Sequence, residues 1–309
     1  MKSDLKANLM LHLIVLIFGF TGILGKMITL DSDLLVLYRM LIAAIGIWAY
    51  AFVAKKNDPL PWKKKLYLVF IGGIIALHWI TFFESIKVSN VSVALVCISS
   101  ASLFSAFLEP LFFRRRINPI EIFFGLMVIG GLALIFNFEP KYQLGIVLSC
   151  ISAFLASLFT VLNGKLVKTI NPTQISAYEI SGGALFILGY FLLGSPISME
   201  TFSVGTSDLF YLIILGLICT SFAFVASVKV MQKLSPFTVT LSINLEPVYA
   251  IIMAFLFFNE YENVGWSFFV GGSMIIGTVI LNAALKNIGR LKNRRSWMAR
   301  FIPNKTTRF

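Results

Sequence analysis

Residues 33–54 read DLLVLYRMLIAAIGIWAYAFVA, and between Asp33 and Lys55 the only charged side chain is Arg39. A helix rises ~1.5 Å per residue, so about twenty residues cross a hydrocarbon layer roughly 30 Å thick. The stretch therefore predicts a membrane-spanning helix that carries one cation inside it. Comparable apolar stretches occur at 8–29, 64–84, 89–113, 119–137, 143–167, 173–194, 208–229, 235–258 and 264–285. The breaks between them are short and hold nearly all the charge. No stretch is left over for a separate soluble domain, so any function lies within the helix bundle.

Composition points the same way. Mean hydropathy is +0.88, 58% of the 309 residues are hydrophobic and 13% are charged, about half the charged share of a soluble chain. The N-terminus, with Lys2 and Lys6 before a long apolar run, reads as an uncleaved first span. The run exceeds a signal-peptide core, and no small-residue cleavage pattern follows it. Cys97, Cys150 and Cys219 all fall inside spans with no CxxC spacing, which indicates neither a disulfide framework nor a metal site.

A net charge of +12 would suit nucleic acid if it covered one surface, but its placement is topological. With the inter-span segments assigned alternately to two sides, the side of the N-terminus collects twenty-two Lys and Arg and the other three, Lys26, Lys87 and Lys141. This positive-inside signal predicts that both termini are cytoplasmic and that the bilayer, not nucleic acid, is the partner. The acidic residues Asp31, Asp33, Glu139, Glu200, Asp208, Glu260 and Glu262 fall mainly on the outside. Residues 289–309 form a basic cytoplasmic tail suited to an anionic leaflet.

The chain repeats itself. Gly25-Lys26 recurs as Gly164-Lys165, and Tyr38-Arg39 as Tyr178-Glu179, at offsets of 139 and 140. Lys87-Val88-Ser89 recurs as Lys233-Leu234-Ser235, and Gly125 and Gly131 as Gly271 and Gly277, all at an offset of 146. The chain is thus expected to divide at 1–141 and 142–288 into two five-helix repeats. Five is odd, so the second copy starts from the opposite face and the halves are inverted. Secondary transporters use that symmetry to form a mid-membrane site exposed to each side in turn. Leu108-Glu109-Pro110 resembles Leu245-Glu246-Pro247, but its offset of 137 breaks the register. In the 146 register Glu246 pairs with Ser100, and Glu109 reads as an interfacial partner of Arg114 to Arg116.

With its inverted halves, the Tyr38-Arg39 pair, the Asn244-Leu245-Glu246-Pro247-Val248 run and Phe258-Asn259-Glu260, the chain resembles the drug/metabolite transporter superfamily, EamA type, over residues 8–285. The resemblance implies a ten-helix carrier of small metabolites, with many members exporting amino acids and related compounds across the inner membrane. The chain departs from that pattern after span 4, where Arg114 to Arg116 replace the usual glutamate.

An ionisable group within hydrocarbon is costly and suggests function. Glu246 lies halfway along its span before Pro247, which cannot donate to the Ile243 carbonyl and is expected to kink the helix. With the Asn244 amide, this group would bind an ammonium or a coupling proton, or else serve as a packed polar kink. Pro110 is expected to kink span 4. Arg39 and Glu179, repeat partners of opposite sign, should face the interior, Arg39 holding a substrate carboxylate through its guanidinium fork or either forming a structural ion pair. His78 would relay protons or pack by hydrogen bonding. Trp79, Tyr178 and Tyr249 are expected walls of an apolar pocket, and Ser100 belongs to a serine-rich, small-residue stretch that would line a pore. The glycine pairs Gly72-Gly73, Gly182-Gly183 and Gly271-Gly272 mark close helix contacts.

No phosphate-binding loop, HExxH or G-x-S-x-G occurs, and no cofactor or metal is expected. The chain reads as an all-α membrane protein of ten helices, not an enzyme, exporting a small metabolite by alternating access under a proton, ion or substrate gradient. An importer or facilitator, or an intramembrane enzyme, stands as the alternative. A monomer and a homodimer are equally compatible with the sequence.

Overall fold

A computed structural model describes residues 2–56, 58–89, 91–135, 142–194, 203–246, 248–249, 266, 270–282 and 284–285. Pro247, the 258–260 run and the basic tail lie outside the described residues. The helices are α1 (Lys2–Met27), α2 (Ser32–Val53), α3 (Trp62–Val88), α4 (Val91–Ile98), α5 (Ala101–Phe113), α6 (Pro119–Ile135), α7 (Gln143–Leu166), α8 (Pro172–Gly194), α9 (Thr206–Gly216), α10 (Ala223–Val230) and α11 (Pro236–Ile243). A π-helical turn, Leu217–Phe222, joins α9 to α10, and Val270–Asn282 forms a further apolar helix, α12. No strand occurs among the described residues.

Five stretches are long and apolar enough to cross a membrane: Ser32–Val53, Trp62–Val88, Gln143–Leu166, Pro172–Leu193 and Thr206–Val230. Large apolar side chains cover the outside, with Leu193 92%, Val53 86% and Leu111 71% exposed. Such a surface is unfavourable in water and natural against lipid chains.

Polar ties show which helix ends share a face. At one face, Thr29 after α1 donates to Asp208 at the start of α9 through its N–H (3.2 Å) and hydroxyl (2.7 Å). There too Ser32 at the start of α2 donates to Glu84 near the end of α3 (3.0 Å). Lys87 donates to the Leu30 carbonyl (2.7 Å), and Ser85 to the Gly145 carbonyl at the start of α7 (2.8 Å). At the opposite face, Lys6, Lys56, Pro172 and Lys229 border one cleft. The helices α1, α2 and α3 therefore alternate in direction, as do α7, α8 and the continuous stretch from α9 to α10. Moreover, α1 starts at the lysine-bearing face and α7 at the other, while α2 and α8 are reversed in the same way.

Span 4 differs from its expected form. It is two helices, α4 and α5, separated at residues 99–100. Ser100 Oγ donates to the Cys97 carbonyl (2.6 Å) and Ser102 Oγ to the Ser99 carbonyl (3.0 Å). Hydroxyls that capture nearby carbonyls compete with the helical ladder. Span 9 is interrupted likewise: α11 ends at Ile243 with Asn244 as its cap, ahead of Pro247 in sequence, and Leu245 N–H returns to the Ser242 carbonyl (3.0 Å). Pro110 lies inside α5, and the helix closes just after it with Arg114 in a left-handed conformation. Glu109 pairs with Arg115 (3.3 Å) and accepts the Phe237 N–H at the start of α11 (2.8 Å), so it ties two helix ends together.

Gly72, Gly182 and Gly183 sit at a close helix contact, as expected of those pairs, whereas Gly272 does not. A Cβ on Gly72 would strike the Glu179 carbonyl and the Gly183 nitrogen, and one on Gly182 would reach within 2.6 Å of the Val69 carbonyl. The α3 and α8 backbones touch directly here. Gly131 on α6 meets the Gly271 carbonyl on α12, at 2.9 Å from an added Cβ. Because backbone cannot rotate aside, Gly72→Ala is expected to destabilise the bundle by about 1–3 kcal/mol, read as an earlier thermal unfolding midpoint in detergent. The same change at Gly272, whose added Cβ meets nothing within 4 Å, should leave the midpoint unmoved.

Candidate functional site

A cavity of about 130 Å³ lies inside the bundle, bounded by residues of α1 to α7, the π-helical turn, α10, α11 and the segment after it. Of the sequence candidates, Arg39, His78, Trp79, Asn244 and Glu246 line it. Glu179, Tyr178, Tyr249 and Ser100 are not among its described lining residues.

Arg39 is 2% exposed. Its Nε donates to Thr220 Oγ1 at 2.7 Å, and its guanidinium carbon stands 3.9 Å from the centroid of the Trp79 ring. The π-helical turn sets this geometry. Thr220 Oγ1 donates to the Leu215 carbonyl five residues back (2.8 Å) and accepts from Arg39, while Ser221 Oγ reaches the Ala43 carbonyl on α2 (2.9 Å). Gly216 sits close under Ile42, which brings this turn against α2. Single-turn π bulges often mark functional positions. Stacking on Trp79 holds the cation, yet Arg39 Nη1 has no partner among the described residues.

Glu246 is half-buried and makes no hydrogen bond or ion pair among the described residues. It and Arg39 attract each other across the cavity without approaching within the 4 Å of an ion pair. Asn244 Nδ2 donates to the Ser99 carbonyl (3.3 Å). The two interrupted helices thus touch at their interruptions, beside the cavity.

His78 Nδ1 lies 3.0 Å from the Ser152 carbonyl and 2.7 Å from Ser152 Oγ, and that hydroxyl donates to the His78 carbonyl at 2.8 Å. A carbonyl only accepts, so this contact places the proton of the neutral ring on Nδ1 and leaves the lone pair on Nε2. The ring packs against Phe159 and Phe82, with centroids 5.5 and 6.5 Å away. His78 is therefore both a cross-link from α3 to α7 and part of the cavity wall.

Arg39 and Glu179 do not pair. Glu179, fully buried, accepts from Asn163 Nδ2 at 2.9 Å. Its other oxygen, Oε1, and Asn163 Oδ1 have no partner among the described residues. Asn163 also reaches the cavity wall. Tyr178 packs edge-on against Trp48, centroids 5.3 Å apart, and Tyr249 Oη meets His12 Nδ1 at 2.8 Å. Ser100 spends its hydroxyl on the Cys97 carbonyl. Asn163 and Thr220 escaped the sequence reading, although each is a polar residue within an apolar run. The aromatic Phe18, Phe82, Phe159 and Phe224 of the lining had no signal to distinguish them among thirty Phe.

A polytopic helical bundle with an internal cavity, mostly apolar but carrying an arginine and a glutamate on its wall, and interrupted helices meeting beside it is the architecture of a membrane transporter. The chain belongs to the EamA-like transporter family, of the drug/metabolite transporter superfamily: the family model matches residues 5–137 and again 143–284. It is 25% identical to an uncharacterized transporter of Archaeoglobus fulgidus over 90% of this chain and 98% of that protein. It is 24% identical to the uncharacterized transporter YdfC of Bacillus subtilis, over 84% and 85% of the respective chains. Among solved structures, a crystal structure of a protein shares the fold with a TM-score of 0.72 at 16% identity, covering 91% of this chain and 99% of that one.

Proposed function

We propose that this chain is a secondary transporter of the inner membrane that exports a small zwitterionic metabolite, such as an amino acid, by alternating access. The observation that carries the reading is one cation and one carboxylate on the wall of a single cavity, Arg39 from the first half and Glu246 from the second, unpaired with each other. Charges held apart in a low-dielectric site carry a desolvation cost that a partner of opposite sign offsets. A zwitterion supplies both partners, its carboxylate to the Arg39 fork and its ammonium to Glu246. The apolar remainder fits against Trp79 and the phenylalanines. Between substrates, Glu246 takes up the coupling proton.

Alternating access rests on two inverted five-span halves, 1–141 and 142–288. The reversed directions of α7 and α8 relative to α1 and α2 support this arrangement. The interruptions at 99–100 and 244–245 fall within one residue of the 146 register, and the family model matches the chain twice. The positive-inside distribution orients both termini, and the tail 289–309, to the cytoplasm. The cavity is lined by one chain, so the reading needs no second copy.

The test is counterflow in proteoliposomes, screening amino acids, nucleosides and sugars with and without a pH gradient. Saturable amino-acid exchange that the gradient drives uphill is expected. Exchange of sugars or nucleosides but not amino acids would overturn the substrate class, and a periplasmic C-terminal tag the orientation.

A further inference from the structure

We infer that a cleft at the lysine-bearing face, separate from the central cavity, binds the phosphate headgroup of an anionic phospholipid. It goes beyond the transport reading and holds whatever the central cavity carries. The cleft has a volume of about 790 Å³ and opens between α1, α2, the start of α8 and α10. Four lysines from separate segments line it: Lys6 on α1, Lys56 after α2, Lys229 at the end of α10 and Lys233 in the turn beyond. No Asp or Glu is among the described lining residues. The nearby loop turns a main-chain carbonyl, that of Asp58, toward Gln174 of α8 (2.5 Å).

One of these lysines, Lys56, is held in place. Lys56 Nζ donates to Tyr50 Oη (2.8 Å) and lies 4.8 Å from that ring's centroid. Helix α8 starts at the cleft with Asn171 Oδ1 accepting the Thr173 N–H (3.0 Å), and its N-terminal partial charge adds to the lysines. Behind Lys233, Lys168 donates to the carbonyls of Met231 (2.8 Å) and Gln232 (3.1 Å). Burial and the charge of Lys233 hold Lys168 below its ordinary pKa. Positive charge is thus gathered here against its own repulsion, which a phosphate relieves.

The other end of the cleft selects a lipid over a free phosphate. Its deeper wall is Ile47, Leu217, Phe222 and Val225, with Leu217 and Phe222 exposed at 42% and 47% on the lipid-facing surface. From Lys56 back to Gly46 the wall descends about 15 Å at helical rise. Charge at headgroup depth above an apolar channel matches a phospholipid with one acyl chain laid into the bundle, the usual chemistry of basic pockets between membrane helices.

The experiment uses the full-length protein in neutral detergent, with native mass spectrometry and thermal melting. The probes are dioleoyl phosphatidylglycerol, dioleoyl phosphatidylcholine, glycerol 3-phosphate and inorganic phosphate. Phosphatidylglycerol is expected to remain bound and raise the melting temperature, and the phosphatidylcholine with identical tails to do neither. Lys56→Gln and Lys229→Gln should each weaken phosphatidylglycerol binding roughly 5-fold. Lys229→Arg, which keeps the charge, and Lys63→Gln, outside the cleft, should leave it intact. Equal retention of the two lipids by the unmodified protein overturns the proposal, with no variant required. So does wild-type retention in Lys56→Gln/Lys229→Gln. Glycerol 3-phosphate or inorganic phosphate stabilising as strongly as the lipid would assign the cleft to a soluble anion instead.

Discussion

Glu246→Gln is expected to abolish gradient-driven uptake into proteoliposomes and to slow downhill exchange about 10- to 100-fold, while the protein still elutes as a folded species. The substitution keeps shape and volume and removes only the charge and the titrating proton. A hydrogen bond to a charged group contributes about 1.5–3 kcal/mol, roughly one to two powers of ten in binding. Glu246 makes no hydrogen bond or ion pair to another described residue and borders the cavity, so its loss should leave packing intact. Had the carboxylate served to pack a kink, Gln would replace it with little change in flux. Undiminished uphill transport in the variant removes Glu246 from the mechanism.

Arg39→Lys is expected to raise the half-saturating substrate concentration about 10-fold or more, with the protein still eluting as a folded species though less stable. Lysine preserves the charge and loses the planar fork, the stacking 3.9 Å over Trp79 and the Nε bond to Thr220. Bidentate recognition of a carboxylate requires that fork. A double replacement, Arg39→Gln with Glu246→Gln, separates binding from simple charge balance. If the two side chains only neutralise each other, the double variant transports better than either single one. If each holds one end of a zwitterion, it transports worst of all. An Arg39→Lys protein with unaltered saturation behaviour would show that the guanidinium does not touch the substrate.

Much of this architecture is local and therefore readable along the chain. Apolar runs of about twenty residues, alternate placement of lysines and glycine pairs at helix contacts each follow from the bilayer acting on one segment at a time. Gly72-Gly73 and Gly182-Gly183 do meet, and Glu109 does pair with an arginine of the following loop, Arg115. The two interruptions, at 99–100 and 244–245, lie one position short of the 146 offset. That those places would be broken helices was not legible at Ser99-Ser100. A serine in an apolar run satisfies its hydroxyl within a straight helix as readily as at a break, and the choice depends on its neighbours.

What the order of residues determined about this protein is its kind: a helical membrane chain in two related halves, with a few charges too costly to lie in lipid. What only the packed bundle decided is which of those charges share a space. Tyr178 and Tyr249 turned to Trp48 and His12, Glu179 found Asn163, and Arg39 was left across the cavity from Glu246. The reason is geometric. Burial is set by spacing along one helix, whereas the partner a buried group meets is set by the rotation and crossing of several helices at once. Thr220 makes the point: one widened turn, fixed by its bond to Leu215, carried a threonine onto an arginine that lies 181 positions away in sequence.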